Sequence, residues 1–374
     1  MITIVESIPV VAAFSRWTFA NLVVLPWFRR TQYYTDDPVK AHYHIIPQHS
    51  TFNATYDLVS VFTWLKHNYA PWNDSTTEFV FFNFCDVLTD CHYFHVPFNT
   101  LPDEFNPASR YRRYMLVGWN GLSDGFDSGM DHCGNCFQAG RDVQLPTAEN
   151  ACGPLCGSDL ATLRKFAVWG AQSPTRLLAA YRHVKSWQPR PHKVFWAGRV
   201  TGKNTADDVS GRTWFLQLYA QKPDWFVRAT YNYSTDSHQP LDTSVLEMMR
   251  NSTFCYSPLG GLGGDTDRYL PALLTGCIPV MLRTVHSEGH VKRLMFPFQE
   301  RLDWDSFAVV VDYADIPYLD AILGNVDIPS KRAHVHNVWR HLLYTGAYQS
   351  YFGETDADDV LHTLAALLMH RHVA

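Results

Sequence analysis

Short apolar runs recur along this sequence, separated by stretches of helical apolar spacing, and that alternation constrains the fold more than any single motif. In the first half the runs are Ile2 to Val5, Ala41 to Pro47 (AHYHIIP), Glu78 to Phe84 (EFVFFNF), Tyr114 to Gly118 and Val143 to Leu145. In the second half they are Lys193 to Gly198, Trp225 to Ala229, Phe254 to Tyr256, Ile278 to Leu282 and Ala308 to Val311. Helical spacing marks Leu58 to His67, Leu160 to Trp187, Arg212 to Tyr219, Val245 to Arg250, Arg268 to Thr275 and the tail from Arg332 to His372. Strands alternating with helices predict an α/β fold with mostly parallel sheets. The chain has 374 residues, and at roughly 150 residues per domain that suggests two domains. Pro189-Arg190-Pro191 reads as the hinge. The expected division is 1–185, 190–335, and C-terminal helices over 336–374 that pack back on the domains. Two α/β halves about a hinge put a ligand cleft between them, served by loops at the carboxyl ends of strands.

Composition removes several classes. Apolar residues make up 46% and charged residues 18%, which excludes disorder as the main state. A net charge of −5 argues against nucleic acid as a partner. The 12 Trp, 19 Tyr and 23 Phe suit either a large core or sugar-stacking surfaces. The best apolar stretch, Val10 to Phe28, is broken by Arg16, Asn21 and Pro26, too often for a membrane span. Met1 to Val11 lacks the basic start and cleavage site of a signal peptide. Cys85, Cys91, Cys133, Cys136, Cys152 and Cys156 form close pairs, with Cys255 and Cys277 further on. An even count at short spacing suits an oxidising lumen. Sequons at Asn53, Asn73, Asn232 and Asn251 agree with it. The expectation is a luminal chain whose targeting segment lies outside this sequence. Cys133 and Cys136 with His132, Cys152 and Cys156 form the alternative, a tetrahedral metal site, but lack two matched CxxC knuckles. Disulfides are preferred, and no metal site is assigned.

The most informative loop is Ser257 to Val280 (SPLGGLGGDTDRYLPALLTGCIPV). A strand runs into Gly260, Gly261, Gly263 and Gly264, and a helix opens near Thr266 or Asp267. Glycines allow close backbone approach to a ligand, and a helix start favours an anion such as a diphosphate. Arg268 in the first turn can add a bidentate phosphate contact. Asp265 and Asp267 would repel phosphate, so they suit helix capping or sugar and ribose hydroxyls. The alternative is a glycine-rich turn with a plain cap. A second stretch, Phe195 to Arg199 with Lys203 and Arg212, puts cations near a strand end, where they can neutralise a leaving diphosphate without a metal. Asp86 and Asp142 follow or precede apolar strands, and each can serve as a general base or as a turn residue.

These loops stand in a known order. The chain resembles the exostosin-like glycosyltransferases, glycosyltransferase family 47, in its algal and plant-like branch. Asn251 to Val280 carries the strongest match, to Ser-x-Phe-Cys-Leu-x-Pro-x-Gly, an Arg, and Gly-Cys-Ile-Pro-Val. Phe296-Pro-Phe, Leu302 to Phe307 and Asp315 to Leu323 resemble the family's downstream motifs. Thr35 to Pro47, Pro71-Trp-Asn73 and Cys136 to Pro146 resemble the upstream ones, and Gly353 to Leu364 the end of algal members.

The resemblance implies a GT-B type fold, two Rossmann-like domains facing a central cleft, and an inverting enzyme that uses a nucleotide sugar, mostly UDP-linked, with no metal cofactor. It implies donor binding by Arg199, Lys203, Arg212, Ser257, Pro258, Gly260, Gly263, Gly264, Asp265, Thr266, Asp267 and Arg268. Arg268, Arg199 and Arg212 would stabilise the leaving group, with Asp86 or Asp142 as the base. It also implies a Cys255–Cys277 disulfide, a Golgi-luminal setting, a membrane anchor outside this chain, and a glycan or glycoprotein acceptor, with homo- or hetero-oligomers open. Pro271 stands where the family often has Glu to hold ribose, which leaves Asp265 or Asp267 for that task. A non-catalytic carbohydrate-binding or partner subunit of the same fold is the alternative.

Overall fold

The computed structural model describes residues 1–4, 24–46, 58–83, 102–105, 109, 111–118, 122–123, 138, 140–146, 190–200, 210–232, 237–238, 245–258, 268–287, 290–344 and 356–373. The chain divides into two compact units. The first comprises 1–167, 344–350 and 355–374, and the second 168–343 and 351–354.

The first unit is built on a parallel sheet in the order β1-β2-β3-β4-β6. Its strands are β1 (Ile2–Ile4), β2 (Tyr43–Ile46), β3 (Glu78–Asn83), β4 (Tyr114–Gly118) and β6 (Val143–Gln144). A short strand, β5 (Leu122–Ser123), precedes β6. Register runs Tyr43 to Glu78, Phe79 to Tyr114 and Val117 to Val143. The helices α1 (Leu25–Arg29) and α2 (Leu58–Asn68) belong to this unit. A core of Phe62, Trp72, Phe79, Phe81, Phe105 and Tyr114 lies between α2 and the sheet. Phe62 stacks on Tyr114 at 4.8 Å and meets Phe81 edge-on at 5.1 Å. The terminal helix of the chain, here α9 (Val360–Val373), packs on the same sheet: the Tyr43 hydroxyl donates to the Leu368 carbonyl at 2.7 Å.

The second unit has a sheet in the order β14-β11-β10-β7-β8-β9. The strands are β7 (His192–Val200), β8 (Trp225–Asn232), β9 (Ser237–His238), β10 (Ser252–Ser257), β11 (Ile278–Leu282) and β14 (Val309–Val311). All pairings are parallel except that of the edge strand β9. Strands buried on both faces read as unbroken apolar runs, and β11, Ile-Pro-Val-Met-Leu, is buried throughout. The helices are α3 (Arg212–Tyr219), α4 (Val245–Arg250), α5 (Tyr269–Leu274), α6 (Trp304–Phe307), α7 (Leu319–Gly324) and α8 (Ile328–Val338). Phe215 of α3 stacks on Tyr256 of β10 at 3.9 Å, and Tyr219 on Trp225 at 4.3 Å. These aromatics fill a core rather than a surface, which is one of the two uses their number allows.

The α/β class and the parallel sheets follow the sequence pattern. The hairpin β12 (Thr284–Ser287) and β13 (His290–Leu294) does not: it is antiparallel and too polar to stand out. The helical stretch expected over Leu160 to Trp187, and Pro189 of the hinge, lie outside the described residues. Among the described residues no helix is long and apolar enough to cross a membrane.

Candidate functional site

In the second unit the strand order reverses at β7. The chain goes from β7 to β8 on one side, then returns to lay β10 on the other. Open parallel sheets bind ligands beyond the carboxyl ends of the two strands flanking such a reversal. Here those ends are Gly198 to Val200 on β7 and Ser257 with Pro258 on β10.

Arg268, just before α5, reaches this point. Its Nη1 donates to the Ala197 carbonyl at 2.5 Å. Its Nη2 lies 3.0 Å from where a β-carbon on Gly198 would stand. The guanidinium therefore rests on strand backbone that only a glycine leaves bare. A planar cationic fork at a strand end suits bidentate contact with a phosphate. The register between β7 and β8 shifts between Gly198 and Arg199, and Arg199 is exposed. Such an irregularity re-aims the side chain that follows it.

Arg212 is placed differently. It is the first residue of α3 and 6% exposed, and its Nη1 donates to the Arg199 carbonyl at 3.2 Å. It holds the end of β7 in place. Gly211 before it has φ 72°, and a β-carbon there would sit 2.6 Å from Ile316 Cδ1. Only glycine meets both demands. Ser257 is 2% exposed, and its hydroxyl donates to the Cys255 carbonyl at 3.4 Å. Pro258 is buried. Lys203, Gly260, Gly263, Gly264, Asp265, Thr266, Asp267 and Asp86 lie outside the described residues, as do all the cysteines but two. Those two, Cys255 and Cys277, form a disulfide with Cα atoms 5.8 Å apart. It joins β10 to the approach to β11 and brackets both the glycine loop and α5.

Asp142, expected as a possible base, has another task. It is fully buried, and its Oδ1 accepts from Arg112 Nη2 and from the Leu116 amide at 2.7 Å. Its Oδ2 accepts from the Gln138 amide at 2.5 Å. Burial pushes its carboxyl above the ordinary range, against the pull of Arg112. A general base needs reach to a substrate proton. A carboxylate sealed from solvent and committed on both oxygens is a structural ion-pair partner, which corrects the catalytic expectation at Asp142. Arg141 and Glu78 stand next to the pair, with Arg141 Nε 3.9 Å from Glu78 Oε1.

Sequence reasoning also missed the role of Arg190. Its guanidinium donates to the carbonyls of Met249 at 3.2 Å, Ser252 at 2.7 Å and Thr275 at 2.9 Å. Burial, with like charge from Arg332 and Arg250, holds its pKa down to about 9. The flanking prolines are the signal that could have marked a fixed position rather than a hinge.

A guanidinium at the switch point of an α/β unit is an arrangement suited to an anion, and comparisons with known proteins bear on the stretch that carries it. Residues 173–326 match the family model for the Exostosin GT47 domain. The matched stretch contains Gly198, Arg212, the Cys255–Cys277 disulfide and Arg268. A probable glycosyltransferase of Arabidopsis thaliana is 30% identical over 190 residues, which is 51% of this chain and 28% of the relative. A probable β-1,4-xylosyltransferase of the same plant is 33% identical over 84 residues, 22% of this chain and 18% of the relative. A probable glucuronosyltransferase of Oryza sativa is 35% identical over 82 residues, 22% and 17%. The matched stretches thus span less than a third of each of these relatives. Among solved structures, an α1,3-fucosyltransferase aligns with 98% of this chain and 88% of its own at 9% identity and a TM-score of 0.34.

Proposed function

We propose that this chain is an inverting glycosyltransferase whose nucleotide-sugar donor, a UDP-sugar, sits at the switch point of the second unit. The observation that carries the reading is the seat of Arg268 on Gly198, at the end of β7 and inside the exostosin-like stretch. Arg268, Arg199 and Lys203 take the charge of the departing diphosphate, in the role a metal ion fills elsewhere. Arg212 keeps β7 in position for them. Asp265 or Asp267 holds ribose or sugar hydroxyls. An acceptor hydroxyl attacks the anomeric carbon as the bond to UDP breaks, and Asp86 takes its proton. Asp142 is not proposed for that step. The xylosyl and glucuronosyl names of the relatives favour a pentose or hexose destined for a wall glycan or glycoprotein. Paired cysteines and sequons support the Golgi lumen as the setting.

The test is a thermal shift with UDP, GDP and a panel of UDP-sugars in EDTA, on the wild-type chain and on Arg268→Ala. A ligand at about 100 times its Kd adds about 2.7 kcal/mol to stability, a readable melting shift. UDP stabilisation in EDTA that Arg268→Ala abolishes is the expected result. No shift with any nucleotide would favour the non-catalytic carbohydrate-binding subunit instead.

A further inference from the structure

A pocket of about 740 Å³ opens in the first unit between α1, the turn after it and the start of α9. Its volume falls in the range of small-molecule sites. The turn is fixed: the Arg30 amide donates to the Trp27 carbonyl at 3.1 Å, and the Ile2 amide to the Tyr33 carbonyl at 2.8 Å. The Thr31 hydroxyl donates to the Phe28 carbonyl at 2.9 Å. The strand β1 therefore anchors the pocket wall from behind.

The opposite wall is also built. Asp359 is fully buried, and its Oδ1 accepts from the His362 amide at 2.9 Å, capping α9. The same oxygen lies 3.2 Å from His362 Nδ1. A carboxylate oxygen can only accept, so Nδ1 carries the proton. The imidazole plane then meets the Trp27 ring edge-on at 4.7 Å, with Tyr33 6.5 Å away. Trp27 and Tyr33 lie nearly parallel, 6.5 Å apart. The result is an aromatic wall of fixed orientation.

The polar groups of the lining complete the chemistry. Arg30 and Gln32 are exposed. Among the described residues, the Arg30 guanidinium, the Gln32 amide and the Tyr33 hydroxyl meet no hydrogen-bond partner. Among the described lining residues there is no carboxylate, since Asp359 stands behind His362. Aromatic faces take the C–H face of a sugar ring, amide and hydroxyl groups take its hydroxyls, and a guanidinium takes a carboxylate.

The geometry points to a second carbohydrate site here, one that takes an acidic saccharide, a glycan bearing uronic acid carboxylates. Arg30 pairs with the carboxylate, Gln32 and the Tyr33 hydroxyl bind hydroxyls, and the half-buried Tyr33 ring supplies the stacking face, backed by the buried Trp27. This site is built from first-unit residues alone and does not rest on the donor-site reading.

The test is calorimetric titration of the whole chain with a galacturonic acid hexamer and with neutral xylohexaose. Wild type is expected to bind the acidic hexamer more tightly. A charge-assisted hydrogen bond is worth about a factor of ten in affinity, so Arg30→Ala should weaken acidic binding about tenfold. Gln32→Ala should weaken both ligands by a smaller factor. Both side chains are exposed, so these variants keep the fold, which melting checks. Arg268→Ala should leave hexamer binding unchanged, and Arg30→Ala should leave any UDP stabilisation unchanged, so the two sites fail or stand separately. The proposal is overturned if wild type binds neither hexamer, if it binds both equally, or if Arg30→Ala binds the acidic one as wild type does.

Discussion

The Arg268 guanidinium lies so close to Gly198 that a β-carbon on the glycine would stand 3.0 Å from Nη2 and 3.1 Å from the Trp196 ring. Gly198 has an ordinary backbone conformation, so Gly198→Ala brings no backbone strain. What it brings is a methyl group between a buried indole and a cation. The indole is held by the core, at 1% exposure, so the guanidinium yields first. Overpacking of this size costs about 1–3 kcal/mol. Gly198→Ala should therefore fold, melt lower, and lose most of its UDP-induced shift. Arg268→Lys should keep part of that shift, because it keeps charge but loses the fork. Full UDP stabilisation in Gly198→Ala would detach the seat of Arg268 from donor binding.

The Arg112–Asp142 pair gives a prediction opposite in kind to a catalytic one. Both side chains are fully buried. Removing one partner of a buried ion pair leaves an uncompensated charge and costs about 3–5 kcal/mol. Asp142→Asn should lower the urea midpoint by that scale, and Arg112→Met should do the same. Replacing both with apolar residues of similar volume should cost less than either single change, as measured in a double-mutant cycle. A general base would behave otherwise, with transfer abolished and the urea midpoint kept.

How much of this was legible in the sequence depends on the range of the interaction. The bounds of α3 and α4 read directly, because an apolar face at helical spacing is a local signal. The strands β10 and β11 read as apolar runs because both faces are buried. The end of β7 did not: Gly-Arg looks like a loop start, yet the strand continues to Val200 through a register shift. The polar hairpin β12 and β13 carries little apolar alternation to reveal it. Asp142 was legible as a carboxylate near a strand but not as the partner of Arg112, which lies 30 residues away. The seat of Arg268 needed the structure, since it joins a helix start to a strand 71 residues earlier.

His44 makes the first unit sensitive to acid. It is fully buried in β2. Its Nε2 lies 3.3 Å from the Ala41 carbonyl, and its Nδ1 lies 2.7 Å from the Tyr69 hydroxyl. A carbonyl only accepts, so Nε2 carries the proton and Nδ1 accepts from Tyr69 in the neutral ring. Burial lowers its pKa from 6.5 to about 4. Between those values the unfolded chain binds the extra proton and the folded chain does not. Stability is therefore complete above pH 6.5 and lost as pH falls towards 4, by about 3 kcal/mol in all. His44→Gln should flatten that part of the stability curve in urea titrations run from pH 7 to 4. An unchanged slope would assign the acid sensitivity to other groups.

Arg190 decides whether the segment before β7 is a hinge or a clamp. One guanidinium ties the end of α4, the first residue of β10 and the end of α5 through the carbonyls of Met249, Ser252 and Thr275. These bonds gather the elements that frame the switch point. Arg190→Met would leave half-buried carbonyls unpaired, at about 1–3 kcal/mol for each group that water does not reach. Arg190→Lys keeps the charge, but a single ammonium cannot span the three carbonyls in the fixed geometry of the fork. Both variants should lower the urea midpoint, with Lys between Met and wild type. Hydrogen exchange should speed up at the amides of Asn251 and Gly276, which follow α4 and α5. A flexible hinge residue would give neither effect, because a mobile linker contributes little to the stability of the elements it joins.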